Sequence, residues 1–174
     1  MSIAVRRITP EDWREVKALR LQALADPAAP IAFLDTVEHA AAQPDRFWQE
    51  RAANAAGDAA AAQFVAIADD GTWTGTATVL PHREQHDAGL VVGVYVADTH
   101  RGAGVIDALL DAAAAWARDR GLRALVLGVH VDNERAQAVY RRGGFVRTGE
   151  IETANFGREW VMRRELVDTG SVPA

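Results

Sequence analysis

The sequence predicts an α+β domain in which a mixed, mostly antiparallel sheet is flanked by helices. Segments with strand and helix patterns follow one another in the order βααβββαβαββ. The segment TWTGTATVL follows the turn DDG and alternates threonines with apolar residues, which is typical of a β-hairpin. The segment AGLVVGVYV is a nearly continuous apolar run, as expected for a strand that is buried on both faces.

The elements before these strands follow from local signals. The first strand, AVRRI, precedes a helix start in which Thr9 is the N-cap, Pro10 lies in the first turn and Asp12 comes three residues after the cap. A second helix is predicted from about Asp45 to Ala56, after a segment that contains three prolines.

The elements in the second half are a long helix, a buried strand, a short helix and two final strands. The long helix is predicted from about Gly104 to Arg120, with Val105, Leu109, Ala112 and Trp116 as its buried stripe. The strand ALVLGVHV follows, and then a short helix that closes at Gly143 or Gly144. The last two strands, FVRTGEIET and EWVMRREL, flank the turn ANFG.

Length and composition favour one domain without a membrane segment. A chain of 174 residues with 49% hydrophobic content can bury one core, so we predict a single domain over residues 1–168 and a flexible tail at 169–174. No apolar run approaches the length of a membrane span, and the first residues lack the pattern of a signal peptide. We therefore expect a cytoplasmic protein that does not contact a membrane.

The cysteine count and the charge exclude several chemistries. The chain has no cysteine, which excludes disulfides, a thiolate nucleophile and thiolate metal ligands, and we expect no metal. The formal net charge of −5 argues against a nucleic-acid partner, because such proteins present a basic face to phosphates. A small neutral or cationic molecule is the expected target.

Gly102 and Gly104 lie where the apolar strand meets the long helix, with no acidic or hydroxyl cap at the helix start. Free N–H groups and a partial positive charge at a helix start suit a pyrophosphate. The following GVID excludes a Walker P-loop, and Asp107 stands where a dinucleotide-binding turn needs its third glycine. Coenzyme A, or a tight connection without a ligand, stays open.

Two blocks of sequence identify a resemblance to a known family. VADTHRGAGVIDALL resembles the R/Q-x-x-G-x-G/A loop and helix of the GNAT superfamily of acyl-CoA-dependent N-acetyltransferases. VDNERAQAVYRRGGF resembles the same family's N-x-x-A-x-x-x-Y-x-x-x-G-F element. The resemblance covers roughly residues 89–145, and Ile106 departs from it, since the family usually has Gly or Ala at that position.

The resemblance implies a GNAT-like fold and an acetyl-CoA site. The strand at Val92–Val96 would splay from the strand at Leu125–Val131, and pantetheine would lie in the gap. The residues implied to bind the cofactor are Val94, Val96, Arg101, Gly102, Ala103, Gly104, Val105, Ile106 and Asn133. The first two would bond to pantetheine through the backbone, the amides from Arg101 to Ile106 would hold the pyrophosphate, and Asn133 would bond to pantetheine from the other side.

Tyr140 is the implied catalytic residue, placed near the thioester sulfur. A phenol with a pKa of about 10 can donate to a leaving thiolate whose conjugate acid has a pKa of about 8.5. Without the resemblance, a packed aromatic residue would be the simpler interpretation. No base is evident, because Ala88–Val96 contains neither a carboxylate nor a histidine.

Other proton acceptors stay open. His130 is more typical of a packed, hydrogen-bonded residue, the loop with Glu84, His86 and Asp87 is typical of a solvated surface, and a water relay is an equal alternative.

The acceptor is expected to be the amine of a small molecule. The first helix, the segment Asp26–Pro44 and the turn TANFG are predicted to build its pocket. The aromatic residues Phe33, Trp48, Trp73 and Trp160 could wall that pocket, although tryptophans at such spacing are more often core. An acyl-CoA-binding sensor or scaffold without catalysis is the alternative function, and a homodimer stays open.

Overall fold

The computed structural model describes residues 2–167, which form one seven-stranded mixed sheet with helices on both faces. The strands are β1 (Ile3–Arg7), β2 (Ala62–Ala68), β3 (Trp73–Pro81), β4 (Ala88–Val96), β5 (Ala124–His130), β6 (Val146–Thr153) and β7 (Gly157–Glu165). The helices are α1 (Trp13–Leu24), α2 (Val37–Ala41), α3 (Asp45–Ala53), α4 (Val105–Asp119) and α5 (Glu134–Arg142), with short 3₁₀ helices at Pro10–Asp12, Ala29–Ile31 and Asp98–His100. The predicted tail at 169–174 lies outside the described residues.

The sheet has the strand order β1-β2-β3-β4-β5-β7-β6. The pair β4–β5 is parallel, and the other five pairs are antiparallel. This confirms the predicted fold class and the order of the main elements. None of the helices within residues 2–167 combines the length and the apolarity that a membrane crossing requires.

The two faces of the sheet carry separate cores because strand side chains alternate. On β2, Phe64 packs with helix α4 and Val65 packs with helices α1 and α3. Trp48 of α3 is 1% exposed and is the largest side chain of the second core. It is therefore a core residue and cannot wall a pocket.

Helix α4 approaches the sheet closely because β3 has a glycine under it. A Cβ at Gly75 would lie 3.1 Å from Leu109 Cδ1 and 3.2 Å from Val105 Cγ1. The predicted stripe is right for Val105 and Leu109, whereas Ala112 and Trp116 are only half-buried. Small residues at 113, 114 and 117 face the sheet instead, so the contact face is rotated from the predicted one.

The start of the first helix follows the predicted capping signals. The Asp12 carboxylate accepts a hydrogen bond from the Thr9 amide at 2.7 Å, and the first turn, Pro10–Asp12, is a 3₁₀ helix. Helix α3 starts at the predicted Asp45 but ends three residues early, at Ala53. The five-residue helix α2 was not predicted, because it lies in the proline-broken segment.

The central strands separate after a short paired stretch. Within residues 2–167, β4 pairs with β5 through Ala88–Leu90 opposite Ala124–Val126, and the rest of β4 pairs with β3 alone. Gly93 has a φ of +62°, and the register with β3 shifts there, which marks a β-bulge. The strand turns away from β5 beyond this bulge, so the predicted splay is confirmed.

We expect Leu109→Ala to destabilise the fold strongly. The side chain is 0% exposed between α4 and the sheet, and truncating a buried leucine leaves a cavity that costs about 2–5 kcal/mol. Leu34→Ala is the matched control, because Leu34 is 68% exposed and should change stability by less than about 0.5 kcal/mol. Urea denaturation measures both changes, and equal losses would contradict this description of the core.

Candidate active site

A cleft of about 660 Å³ opens where β4 and β5 separate. Its walls come from the open part of β4, the glycine turn, β5, helix α5 and the segment after α1. The sequence-predicted residues that line it are Val94, Val96, Arg101, Gly102, Gly104, Val105, Ile106, Asn133 and Tyr140. Ala103 is exposed and is not among the lining residues, so the structure brings together all but one of the predicted set.

The glycine turn presents backbone N–H groups to the cleft. Gly102 and Gly104 have φ values of +79° and +77°, and a Cβ at either position would have no heavy atom within 4 Å. In the described part of the chain, the amides of residues 102–104 donate to no carbonyl, and no side chain caps α4. Consecutive free amides at the start of a fifteen-residue helix can donate hydrogen bonds to an anion.

The open edge of β4 carries Val96, whose backbone groups face away from β3. Ala97 N–H donates to Thr74 O at 2.8 Å, and the alternation of a strand turns the polar groups of Val96 toward the gap. Arg101 Nε donates to Val96 O at 2.9 Å and so already satisfies that carbonyl in part. Val94 lies in the bulge and also lines the cleft.

Asn133 is the N-cap of α5. Its Oδ1 accepts from Ala136 N–H at 3.2 Å, and its Nδ2 donates to Ile31 O at 3.5 Å. The side chain therefore connects α5 to the segment after α1. One carboxamide hydrogen has no partner among residues 2–167, and it is this hydrogen that could reach a ligand.

Tyr140 lies on α5 with its ring buried and its hydroxyl unpaired by the described residues. The ring packs edge-on against Phe145 at a centroid distance of 5.9 Å. Burial raises the pKa of the Tyr140 phenol above its usual value, so the group keeps its proton at any physiological pH. A neutral phenol that lines a cleft without a partner can donate a hydrogen bond to a ligand.

The structure supports the packing interpretation of His130. Its Nδ1 accepts from Asp132 N–H at 3.1 Å, so its Nε2 carries the hydrogen and donates to Phe156 O at 3.0 Å. Both nitrogens are thus in use. Glu84, His86 and Asp87 lie at the closed end of β4 and do not line the cleft.

Glu159 is a cleft residue that sequence reasoning missed. It lies on β7 opposite His130, and its Oε2 accepts from Thr153 Oγ1 at 3.2 Å. A Cβ at Gly128 would lie 2.9 Å from Glu159 Oε1, so the carboxylate leans over the bare backbone of β5. The alternation of side chains along β7 could have predicted which residues share a face of the sheet with Glu159. Its position in the cleft depends on the pairing of β7 with β5, which the sequence does not reveal.

The segment Asp26–Pro44, which was predicted to help build the acceptor pocket and is called the acceptor segment below, lines the cleft through Asp26, Ala29 and Phe33. The turn TANFG contributes Phe156. Helix α1 contributes no lining residue, contrary to expectation. Instead, Arg20 of α1 packs against Phe33, with its Cζ 4.9 Å from the centre of the ring. Trp73 and Trp160 pack against the cores and do not line this cleft.

The chain is similar to acetyltransferases in both sequence and fold. The model of the acetyltransferase (GNAT) family matches residues 20–145. An aminoglycoside N(6')-acetyltransferase type 1 from Stenotrophomonas maltophilia is 32% identical over 153 residues, which cover 84% of this chain and 88% of that protein.

Solved structures share the fold. A GNAT-family acetyltransferase from Streptococcus pneumoniae matches with a TM-score of 0.79 at 18% identity, over 95% of this chain and all of that one. A phosphinothricin acetyltransferase from Sinorhizobium meliloti in complex with acetyl-CoA matches with a TM-score of 0.78 at 18% identity, over 100% of this chain and 94% of that one.

We expect acetyl-CoA to raise the melting temperature and Gly104→Asp to remove most of that shift. A ligand that binds the folded state alone stabilises it by about 2.7 kcal/mol at a hundred times its Kd. Aspartate at residue 104 would place negative charge beside the amides that should hold the pyrophosphate. Gly71→Asp is the matched control, because Gly71 also has a positive φ, +83°, but lies in the β2–β3 turn. An undiminished shift in Gly104→Asp would refute this placement.

Proposed function

The chain belongs to the GNAT family of acetyltransferases, and from this premise we propose that it acetylates an amine of a small, positively charged molecule. Transfer of the acetyl group from acetyl-CoA to an amine is the activity of the family. The observation that carries the proposal is the cleft itself, because one continuous space joins a free-amide turn, an open strand edge and an unpaired phenol. The expected cytoplasmic location and the homodimer stay predictions.

Acetyl-CoA would enter this cleft with its pyrophosphate on the glycine turn. The free amides that follow Arg101 support this assignment, and Ile106 leaves its own N–H available because it lies in the first turn of α4. Pantetheine would then run back along the open edge of β4, where Val94 and Val96 lie, with Asn133 on the opposite wall.

Tyr140 would donate a hydrogen bond to the departing thiolate. The lack of a partner for its hydroxyl within residues 2–167 supports this role. The raised pKa makes complete proton transfer to the thiolate unfavourable, so the phenol would act mainly by stabilising negative charge as it develops on sulfur. This contribution is made in the transition state rather than in the ground state.

Glu159 of the cleft and the negative net charge of the protein support a cationic acceptor. Glu159 has no arginine or lysine within ion-pair distance in the described chain, and the net charge of the protein is −5. The relative from Stenotrophomonas maltophilia is named for aminoglycosides, which are polycations. A carboxylate without a cationic partner and a negative net field favour such molecules over acidic ones.

An amine panel tests the proposed activity. We expect acetyl-CoA turnover, followed as free thiol, with aminoglycosides, polyamines or simple monoamines, and at least about tenfold lower kcat/KM with acidic amino acids, a difference of about 1.4 kcal/mol. Binding of acetyl-CoA without turnover across the whole panel would contradict the proposal. It would instead favour a binding module.

We expect Tyr140→Phe to lower kcat by about ten- to a thousandfold, because it removes the hydroxyl and keeps the ring packing. KM for the amine and the thermal shift with acetyl-CoA should change little. The measurement needs an acceptor for which chemistry limits turnover. Full activity in this variant would mean that Tyr140 only packs against Phe145.

A further inference from the structure

We propose that Glu159 is the proton acceptor of the reaction: its carboxylate receives the acceptor's ammonium group and takes the proton that must leave before attack. This inference rests on the proposed function and assigns it the base that β4 lacks. Three observations carry it, namely the position of Glu159 along the cleft, the pairing of the other acidic groups, and the glycine beneath its carboxylate.

Glu159 lies toward the end of the cleft where the thioester should be. The glycine turn follows the open end of β4, and the closed end is at Leu90 and Val126, where pairing with β5 stops. A pantetheine arm that starts at the turn and runs along β4 therefore brings its thioester toward that closed end. Gly128, two residues beyond Val126, is the position over which the Glu159 carboxylate leans.

Glu159 is the cleft carboxylate without a cationic partner in the described chain. Three carboxylates line the cleft. Asp26 Oδ2 lies 2.5 Å from Arg101 Nη2, and Asp107 Oδ2 lies 3.7 Å from Arg142 Nη2. Glu159 has the neutral Thr153 hydroxyl as its partner, which leaves one oxygen for an ammonium group.

The histidines of the cleft are poorer candidates. His130 uses both ring nitrogens, as described above. His100 lies in the 3₁₀ helix beside the glycine turn, and its Nδ1 is 2.9 Å from Thr99 Oγ1. It is therefore at the pyrophosphate end of the cleft, away from Gly128.

Gly128 gives the carboxylate its place. Any larger residue there would put a Cβ 2.9 Å from Oε1 and 3.4 Å from Cδ, so the glutamate would have to turn aside. Gly128 does not have a positive φ, so the backbone alone does not demand glycine at this position. The space beside Gly128 is occupied by the Glu159 carboxylate.

The proton balance is simple. The ammonium group gives one proton to the Glu159 carboxylate, and the nitrogen lone pair forms the C–N bond at the thioester carbonyl. The C–S bond breaks, and the thiolate leaves with a hydrogen bond from Tyr140. Glu159 then returns its proton to water. The second proton of the attacking nitrogen passes through water to the thiolate, which gives the neutral amide and the free thiol, so no further reactant is needed.

Glu159→Gln tests the inference, because it keeps the size and an acceptor for Thr153 but removes the basic oxygen. With an acceptor that the wild type acetylates, kcat/KM for the amine should fall by about a hundredfold or more. The thermal shift with acetyl-CoA should stay unchanged. Glu152→Gln is the matched control, since Glu152 is an exposed carboxylate on β6 outside the cleft, and it should keep full activity.

Two further variants separate a base from a structural residue. Formate should partly restore Glu159→Ala, because it can occupy the vacated space and accept the proton, whereas chloride at equal ionic strength should not. Gly128→Ala should lower kcat/KM in the wild-type background and should add little in Glu159→Gln, since the two changes act on the same carboxylate.

The outcomes distinguish this inference from the proposed function. Activity of Glu159→Gln within about threefold of the wild type would overturn the inference and leave the acetyltransferase activity intact. A large loss without formate rescue, and with additive effects of Gly128→Ala, would also overturn it, because it would show a structural role. A wild type that acetylates no amine would refute the proposed function itself.

Discussion

The separation of β4 from β5 beyond Leu90 is the constraint on which the site depends. A strand edge inside a sheet carries N–H and C=O groups that need partners, and burying them without partners is costly. Here the edge is left open into a cleft rather than closed by β5. The bulge at Gly93 turns the strand away, and the Arg101 side chain satisfies one carbonyl, that of Val96. The remaining groups are available to a ligand that can bond like an added strand.

The same opening couples the two ends of the cleft. Arg101, next to the glycine turn, is paired with Asp26 at the start of the acceptor segment. Asn133 connects α5 to the same segment through Ile31. The residues assigned to the acyl donor therefore hold the segment assigned to the acceptor. Binding of one substrate should change the affinity for the other, because both binding regions share these polar contacts.

Features that depend on neighbouring residues in the sequence could be predicted, whereas features that depend on contacts between distant residues could not. Local signals predicted the strand and helix order and the cap at Thr9. The family motifs pointed to the end of β4 and the glycine turn, which line the cleft except for Ala103. The rotation of the α4 contact face was missed, because it depends on how closely Gly75 lets that helix approach. Helix α1, which was predicted to help build the acceptor pocket, does not line this cleft, and its Arg20 contacts the cleft residue Phe33 from outside.

Glu159 shows where sequence reasoning stops. A glutamate in an alternating strand is usually a solvated residue, and nothing near it along the chain suggests otherwise. Its position becomes visible through the register that sets it opposite His130 and beside Gly128. Those positions are about thirty residues apart in sequence and are adjacent only because β7 pairs with β5.

The charges in the proposed reaction explain why Glu159 on β7 can act in a cleft whose open edge is formed by β4. In the proposed mechanism the acceptor would reach the thioester from the side of the segment after α1, and the Glu159 carboxylate would lie on that approach rather than along pantetheine. Tyr140, a neutral phenol on α5, would lie with the acyl donor, where negative charge would develop on sulfur. The proposed mechanism thus draws positive charge to Glu159 on β7 and stabilises negative charge at Tyr140 on α5, so two different elements of the cleft would handle the two charges.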